Sequence, residues 1–199
     1  MRLARRAAAL ACLVLAAAAG ATRGAAQAPP AGGAAPAVAL TPADSAVRAA
    51  FPGLLNASCP VEGVATGGQL APQHLEALRA AGYRSVLDLR APGEDRGYDE
   101  KRLARAAKLR YVNIPVTART LDDRTFDRVR AFMRDPRHAP VMVHCRTGNR
   151  VGVVLVPWLV LDRGLSRDEA VAAAVRMGLE SKPLLDRALD YVARRSAAR

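Results

Sequence analysis

A chain of 199 residues has room for one ordinary domain and little for a second. Its formal net charge of +12 attracts anions of every kind. The arginines are scattered among acids, however, and one Trp, four Tyr and three Phe cannot form the aromatic-studded basic stripe of a specific nucleic-acid binder.

The chain opens with Arg2, Arg5 and Arg6, an uncharged apolar run from Ala7 to Gly20, and the small-residue triplet Ala26-Gln27-Ala28. That order is expected of a secretory signal over residues 1–28, so an exported, periplasmic or secreted protein is expected. The apolar run falls short of the roughly 20 residues of a membrane span, so no stable span is expected after cleavage. Cys12 lies inside the run without a lipobox ahead of it and leaves with it. Loss of residues 1–28 removes four arginines and no acid, which takes the net charge from +12 to +8. Residues 29–40, Pro/Ala/Gly-rich, are expected to be a flexible linker. Residues 41–199 make the catalytic domain.

Thr41-Pro42-Ala43-Asp44 is a helix start, and the helix runs to about Ala50. Val61 to Thr66 is a first strand, Pro72 to Ala81 a helix stopped at Gly82, and Ser85 to Leu89 a second strand. Tyr98 to Lys108 is helical, Arg110 to Ile114 a strand, and Asp122 to Met133 a helix with Phe126, Val129 and Phe132 at core spacing. Pro140 to His144 is a short apolar strand buried on both faces. An apolar helix follows from about Arg150 to Leu161, in which Pro157 should introduce a kink and Trp158 belongs to the core. Ser166 caps another helix ending near Gly178, and a last one runs from Pro183 to Arg194. Strands alternate with helices, which predicts an α/β domain with a central, mainly parallel sheet flanked by helices.

Between the apolar strand and its helix stands His144-Cys145-Arg146-Thr147-Gly148-Asn149-Arg150. A chain that turns sharply from strand into helix gathers several backbone N–H groups into one concavity, and the helix N-terminus adds positive potential. Gly148 permits a turn that a side chain would obstruct. Arg150 can offer a two-pronged fork to a tetrahedral oxyanion. A cysteine at the mouth of such a cradle is favoured as a thiolate. Arg146, Thr147, Gly148 and Asn149 line the cradle, and substrate is expected to bind there.

Two cysteines remain in the mature chain, Cys59 and Cys145. They exclude a disulfide scaffold, and no Cys/His cluster has zinc-ligand spacing. A bridge between them would need Cα atoms within about 7 Å.

The chain resembles the cysteine-dependent protein tyrosine and dual-specificity phosphatase superfamily, and more closely the bacterial beta-lactamase-hydrolase-like phosphatase-like domain, some of whose members are called sulfur transferases. The resemblance runs from about Val61 to Gly178. It includes Thr66-Gly67-Gly68-Gln69, the segment Ala81 to Arg90 with Glu94 behind it, Tyr111 to Val116, Val143-His144-Cys145, and Arg163 to Ser166 with Glu169-Ala170. It implies a phosphatase-like fold with the cysteine loop between the last strand and the following helix, and an enzyme without metal or cofactor. It implies Cys145 as nucleophile, Arg150 as the oxyanion-binding arginine and His144 as a neighbour that tunes the thiolate. The implied substrate is an anionic small molecule or phospho-substrate, hydrolysed through a cysteinyl-phosphate.

This loop departs from the phosphatase signature. Cysteine and arginine are separated by four residues instead of five, and Val151 stands where the phosphatases usually carry a hydroxyl. The shorter spacing resembles that of rhodanese sulfurtransferases, so the alternative is a persulfide on Cys145, taken from a sulfane-sulfur donor and passed to a thiol. The general acid, an Asp after the strand Arg110 to Ile114 in the phosphatases, would fall on Asp122 or Asp123. Both also fit a helix-capping motif. Asp88, Arg90 and Glu94 form a candidate ion cluster near the carboxyl edge of the sheet. His74 and His138 are expected on the surface, and Asn56-Ala57-Ser58 matches a glycosylation sequon by chance.

Overall fold

A computed structural model describes residues 39–198; the expected leader over residues 1–28 and most of the linker lie outside them. Among the described residues seven helices and five strands follow in the order α1 Pro42–Ala50, β1 Ser58–Val61, β2 Val64–Gly67, α2 Pro72–Ala80, β3 Ser85–Asp88, α3 Glu100–Ala106, β4 Arg110–Asn113, α4 Asp123–Arg134, β5 Val141–His144, α5 Asn149–Leu161, α6 Arg167–Arg176 and α7 Lys182–Ala197. The sheet order is β1-β2-β5-β3-β4, with β1 antiparallel to β2 and the other neighbours parallel. The α/β fold with a mainly parallel sheet is the one the sequence predicts. Within α5, Pro157 stays inside an unbroken helix.

One element differs. The strand expected over Val61 to Thr66 is a hairpin, with Ser58 opposite Thr66 and Val61 opposite Val64. Gly63, at a φ of 79°, takes the tight turn. The turn, Glu62-Gly63, is only two residues long and apolar residues resume at once beyond it, so the two short strands read as one.

Side chains alternate across the sheet. One face carries Val64, Leu87, Val141 and Val143 and packs under α4, α5, α6 and α7, with Phe126, Val129, Trp158 and Tyr191 in that core. The other carries Ala65, Val86 and Met142 and packs against α1, α2 and α3 through Val47, Leu75, Leu78 and Ala104. The central helix α5 buries nearly every residue from Val151 to Leu161, which explains its lack of a polar face. Its first turn is therefore held rigidly against the end of β5. The register aligns Gly67, His144, Asp88 and Asn113 along one edge. Every loop leaving that carboxyl edge meets the loop that follows β5, as expected for the site of a parallel α/β sheet.

Candidate active site

The loop after β5 is fixed from three sides. Behind it, Gly67 O accepts from Cys145 N at 3.3 Å, and Arg146 O accepts from Gln69 N at 3.0 Å. Beside it, Asn56 donates from Nδ2 to Thr147 O at 2.7 Å. At its end, Gly148 caps α5 with a φ of 101°, and a Cβ there would collide with the carbonyl oxygen of Met177. Only glycine satisfies both the left-handed backbone and the contact. Asn56 is the support that sequence reasoning missed. Its φ of 51° fits the tolerance of asparagine for this region, but nothing in Leu55-Asn56-Ala57 announces a partner 91 residues away.

Cys145 is buried, 1% exposed, on the α5 side of the sheet. Gly148 N donates to its Sγ at 3.1 Å. The leading N–H groups of a helix lack intrahelical acceptors, so this amide and the start of α5 point their positive ends at the sulfur. The Arg150 guanidinium comes close enough to the cysteine for the two to interact, and that interaction adds to the rise of Arg150 above its ordinary value.

Arg150 is gripped at its tip. Its NH1 and NH2 donate to the Glu94 carboxylate at 2.5 and 2.7 Å, and NH1 also reaches Val116 O at 3.2 Å. Glu94 is itself oriented by Ala91 N at 2.7 Å. The bonds from Arg150 hold the Glu94 carboxyl below the usual carboxylate range against a weaker opposing effect of burial. The same bonds raise Arg150 further above its ordinary value.

Glu94 was expected to cluster with Asp88 and Arg90, and the structure separates them. Asp88, Arg90 and Glu100 are fully buried with His144 on the opposite face of the sheet from Cys145. Arg90 Nε donates to Asp88 Oδ1 at 2.9 Å, and its NH2 donates to Glu100. Arg96 and Tyr111 take the other Asp88 oxygen. Burial pushes the Asp88 carboxyl up, but the Arg90 hydrogen bonds, the charge of His144 and the Tyr111 hydroxyl outweigh it and bring it to about 2. His144 Nε2 lies 2.8 Å from Glu100 Oε1, yet off the line of a ring N–H, so the two atoms are in contact without a formed hydrogen bond. His144 thus anchors the end of β5 from below. Glu100 looked in sequence like a solvated acid at a helix start, and nothing local marks its burial.

Asp88, Glu100 and His144 bring potential metal-ligating atoms within 4.8 Å of one another. They do not fit a divalent ion, because the Arg90 guanidinium already lies between the two carboxylates and Arg96 neutralises the remaining Asp88 oxygen. A further cation would sit against two fixed positive charges.

The remaining predicted residues divide. Arg146 and Thr147 are exposed at the mouth. The Asn149 side chain turns away from it, since its Oδ1 accepts from Glu180 N and Ser181 N at 3.1 and 3.4 Å. Asp122 caps α4, with Oδ1 accepting from Thr125 N at 2.8 Å, and this bond holds its carboxyl below the ordinary value. Asp123 pairs with Arg194 at 2.7 Å. His74 is buried, not on the surface as expected: its Nδ1 accepts from Ala71 N and its Nε2 donates to Pro52 O.

Cys59 lies on β1 in the other core, with β2 between it and β5. Two strand spacings of about 4.8 Å already exceed the reach of a disulfide.

With that geometry in place, a family model places the chain. The family model described as a DSP-PTPase phosphatase fused to NAD+ kinase matches residues 60–189, well over half of the chain. The chain belongs to this phosphatase family. It is 30% identical over 141 residues to the beta-lactamase hydrolase-like protein of Xylella fastidiosa (strain Temecula1), a match covering 68% of this chain and 31% of that protein. The chain therefore spans less than a third of the length of that curated relative. Among solved structures, the active form of Tk-PTP aligns with a TM-score of 0.61 at 20% identity, covering 70% of this chain and 97% of that one. The core catalytic domain of the PP-IP phosphatase SIW14 from S. cerevisiae, in complex with citrate, aligns with a TM-score of 0.60 at 15% identity, covering 73% and 92%. At these identities the two structures establish a shared fold, and the DSP-PTPase family carries the phosphatase-like activity.

Proposed function

We propose that the protein is an exported, cysteine-dependent phosphatase that hydrolyses an anionic phosphoester through a cysteinyl-phosphate on Cys145. The observation that carries this reading is the Gly148 amide donating to the Cys145 sulfur at the start of α5, with the Arg150 guanidinium close by. In the first step the Cys145 thiolate forms a bond to phosphorus and the ester P–O bond breaks, its electron pair leaving with oxygen. Arg150 and the loop amides hold the equatorial oxygens as charge shifts onto them. In the second step water attacks phosphorus, the S–P bond breaks, and phosphate departs from the regenerated thiolate.

The fold neighbour SIW14 holds citrate, a polyanion, which is in keeping with an anionic ligand for this cradle. The shorter loop is the argument for the sulfur-transfer alternative, but the matched family is a phosphatase family. The exported location rests on the leader-like order of residues 1–28, and mass measurement of the mature N-terminus tests it.

The mechanism is tested by quenching turnover of an aryl phosphate in acid and mapping the phosphorylated peptide. An adduct 80 Da heavier on Cys145, absent from Cys145→Ser, is expected. Turnover retained by Cys145→Ser would refute the assignment, and turnover of thiosulfate with cyanide in place of aryl phosphate would favour the persulfide.

A further inference from the structure

Acids and bases are unevenly matched on the two sides of the sheet. On the α4 and α7 side, Arg130, Lys182, Arg194 and Arg195 each meet an acid: Asp162, Asp186, Asp123 and Asp127. The layer on the other side differs. There α3 turns Ala104 into the core and presents Lys101, Arg102 and Arg105 to solvent, with Lys108 exposed just past its end. Arg79, in the last turn of α2, lines one groove with Lys108, floored by Ala80, Ala106 and Ala107. Arg84 lies against the same stretch of chain, because its carbonyl accepts from Arg110 N at 2.9 Å. None of these six cations takes part in an ion pair among the described residues. The exposed acids of the two helices and their caps are Glu76 and Asp99, and Asp99 is occupied in capping α3 through Arg102 N.

The rest of this face narrows the partner. The exposed large apolar side chains, Leu40, Leu55 and Val175, belong to other elements, so it lacks the apolar centre of a protein–protein interface. Its tyrosines offer no free ring for base stacking: Tyr83 packs edge-on against Phe51, and Tyr98 is half-buried and tied to Leu70 O. What is left is a two-dimensional array of long, flexible cations over alanines. An anionic bilayer fits such an array, because its charge is spread over a surface and demands no matching shape. A charged polymer would engage only one line of these cations at a time. Among the described residues no helix is long and apolar enough to cross a membrane, so attachment through this face rests on charge.

We infer that α2 and α3 form a docking face by which the protein attaches reversibly to membranes rich in anionic phospholipid, leaving its cysteine loop open to solvent. The loop is on the opposite side: Cys145 packs in the core under α5, whereas α2 and α3 cover the other face of the sheet. The inference holds whether Cys145 transfers phosphoryl or sulfur.

The test compares two triple variants of equal charge, each made in the full chain and expressed with its leader. One carries Lys101→Gln, Arg102→Gln and Arg105→Gln on the docking face. The other carries Arg124→Gln, Arg128→Gln and Arg167→Gln, which are exposed on α4 and α6. Co-sedimentation is measured with phosphatidylcholine vesicles, with and without roughly one-third phosphatidylglycerol. We expect binding only to the anionic vesicles, and its loss in about 1 M salt, where charges are screened beyond roughly 3 Å. The α3 variant should lose about a hundredfold in partitioning, near fivefold per charge, and the control less than about threefold. Alkylation of Cys145 by iodoacetamide, followed by peptide mapping, should proceed at the same rate on vesicles as in solution. Equal losses in the two variants would reduce the face to a net-charge effect and overturn it. Undiminished binding to neutral vesicles would overturn the electrostatic attachment, and slower alkylation on vesicles would overturn the orientation. If polyphosphate binds at a lower concentration of anionic groups than the vesicles do, and the α3 variant loses that binding, the partner is a soluble polymer and the membrane assignment falls.

Discussion

Replacing Glu94 with Gln isolates the grip on Arg150. The two carboxylate oxygens bind NH1 and NH2 end-on at 2.5 and 2.7 Å, so both terminal nitrogens are held on Glu94. A glutamine of the same shape keeps one acceptor and sets its amide donors against an arginine donor. Removing an oxyanion donor outright typically costs about 2.7–4 kcal/mol in the transition state. Glu94 orients the donor and does not act as one, Arg150 keeps its bond to Val116 O, and the pair is 19% and 24% exposed, so solvent screens part of the interaction. A loss of about 1–2 kcal/mol, near five- to thirtyfold in kcat, is expected. Steady-state kinetics of Glu94→Gln, Arg150→Ala and the double variant measure it, and Glu94→Gln should have little further effect once Arg150 is gone. Because Arg150 depresses the Glu94 pKa, the grip is present above the ordinary carboxylate value and is lost only as pH falls through the lowered one. The acid limb near neutrality should therefore not move in Glu94→Gln. A rise in kcat would refute the reasoning, since it would mean that the carboxylate competes with substrate for Arg150.

Arg150→Ala should lose at least about a hundredfold in kcat, and Arg146→Ala clearly less; equal, small effects would contradict the division of roles. Asp122→Ala should cost about 1 kcal/mol of stability as a lost cap in denaturant titrations while leaving the shape of the pH–rate profile unchanged. Gly148→Ala should destabilise by at least about 2 kcal/mol and abolish turnover, because a strained φ and a clash with Met177 O coincide; a well-folded, active variant would disprove the packing. Cys59→Ser should not change the rate at which peroxide converts Cys145 to sulfinic acid, since the two sulfurs lie in different cores; faster oxidation would argue for a resolving thiol.

Local chemistry explains which parts of the structure were legible in the sequence. Thr41 and Asp44 form the expected reciprocal cap, Ser166 and Glu169 another, and both are complete within four residues. The strand-to-helix turn at Cys145 was legible because an apolar run, a glycine and an arginine stand together in one short stretch. What stayed hidden depends on partners far away in sequence. Asn56 reads as a loop residue until it meets Thr147, and Glu100 reads as a first-turn acid until α3 lays it under β5. Glu94 was visible as a charge, yet its choice between Arg90 and Arg150 is decided by the path of the loop from Ala91 to Gly97. Arg96 draws that loop in through bonds to the carbonyls of Ala91, Pro92 and Glu94.

The short loop and the Glu94 clamp belong to one physical argument. With four residues between Cys145 and Arg150, the Gly148 amide already points at the sulfur. An amide committed to the thiolate is less free to serve a phosphoryl oxygen, so a larger share of oxyanion stabilisation falls on Arg150. That places a premium on a guanidinium whose orientation is settled before substrate arrives, because ordering a long side chain during the reaction would cost entropy. Glu94, Ala91 N and Val116 O supply that order in advance. The cost is a carboxylate beside the anion site, which raises the local negative potential and should weaken ground-state binding of phosphate. A low affinity for inorganic phosphate as a product inhibitor, improved by Glu94→Gln while kcat falls, is the joint signature of this arrangement. If Glu94→Gln weakens phosphate binding and kcat together, the carboxylate is only holding the loop in shape.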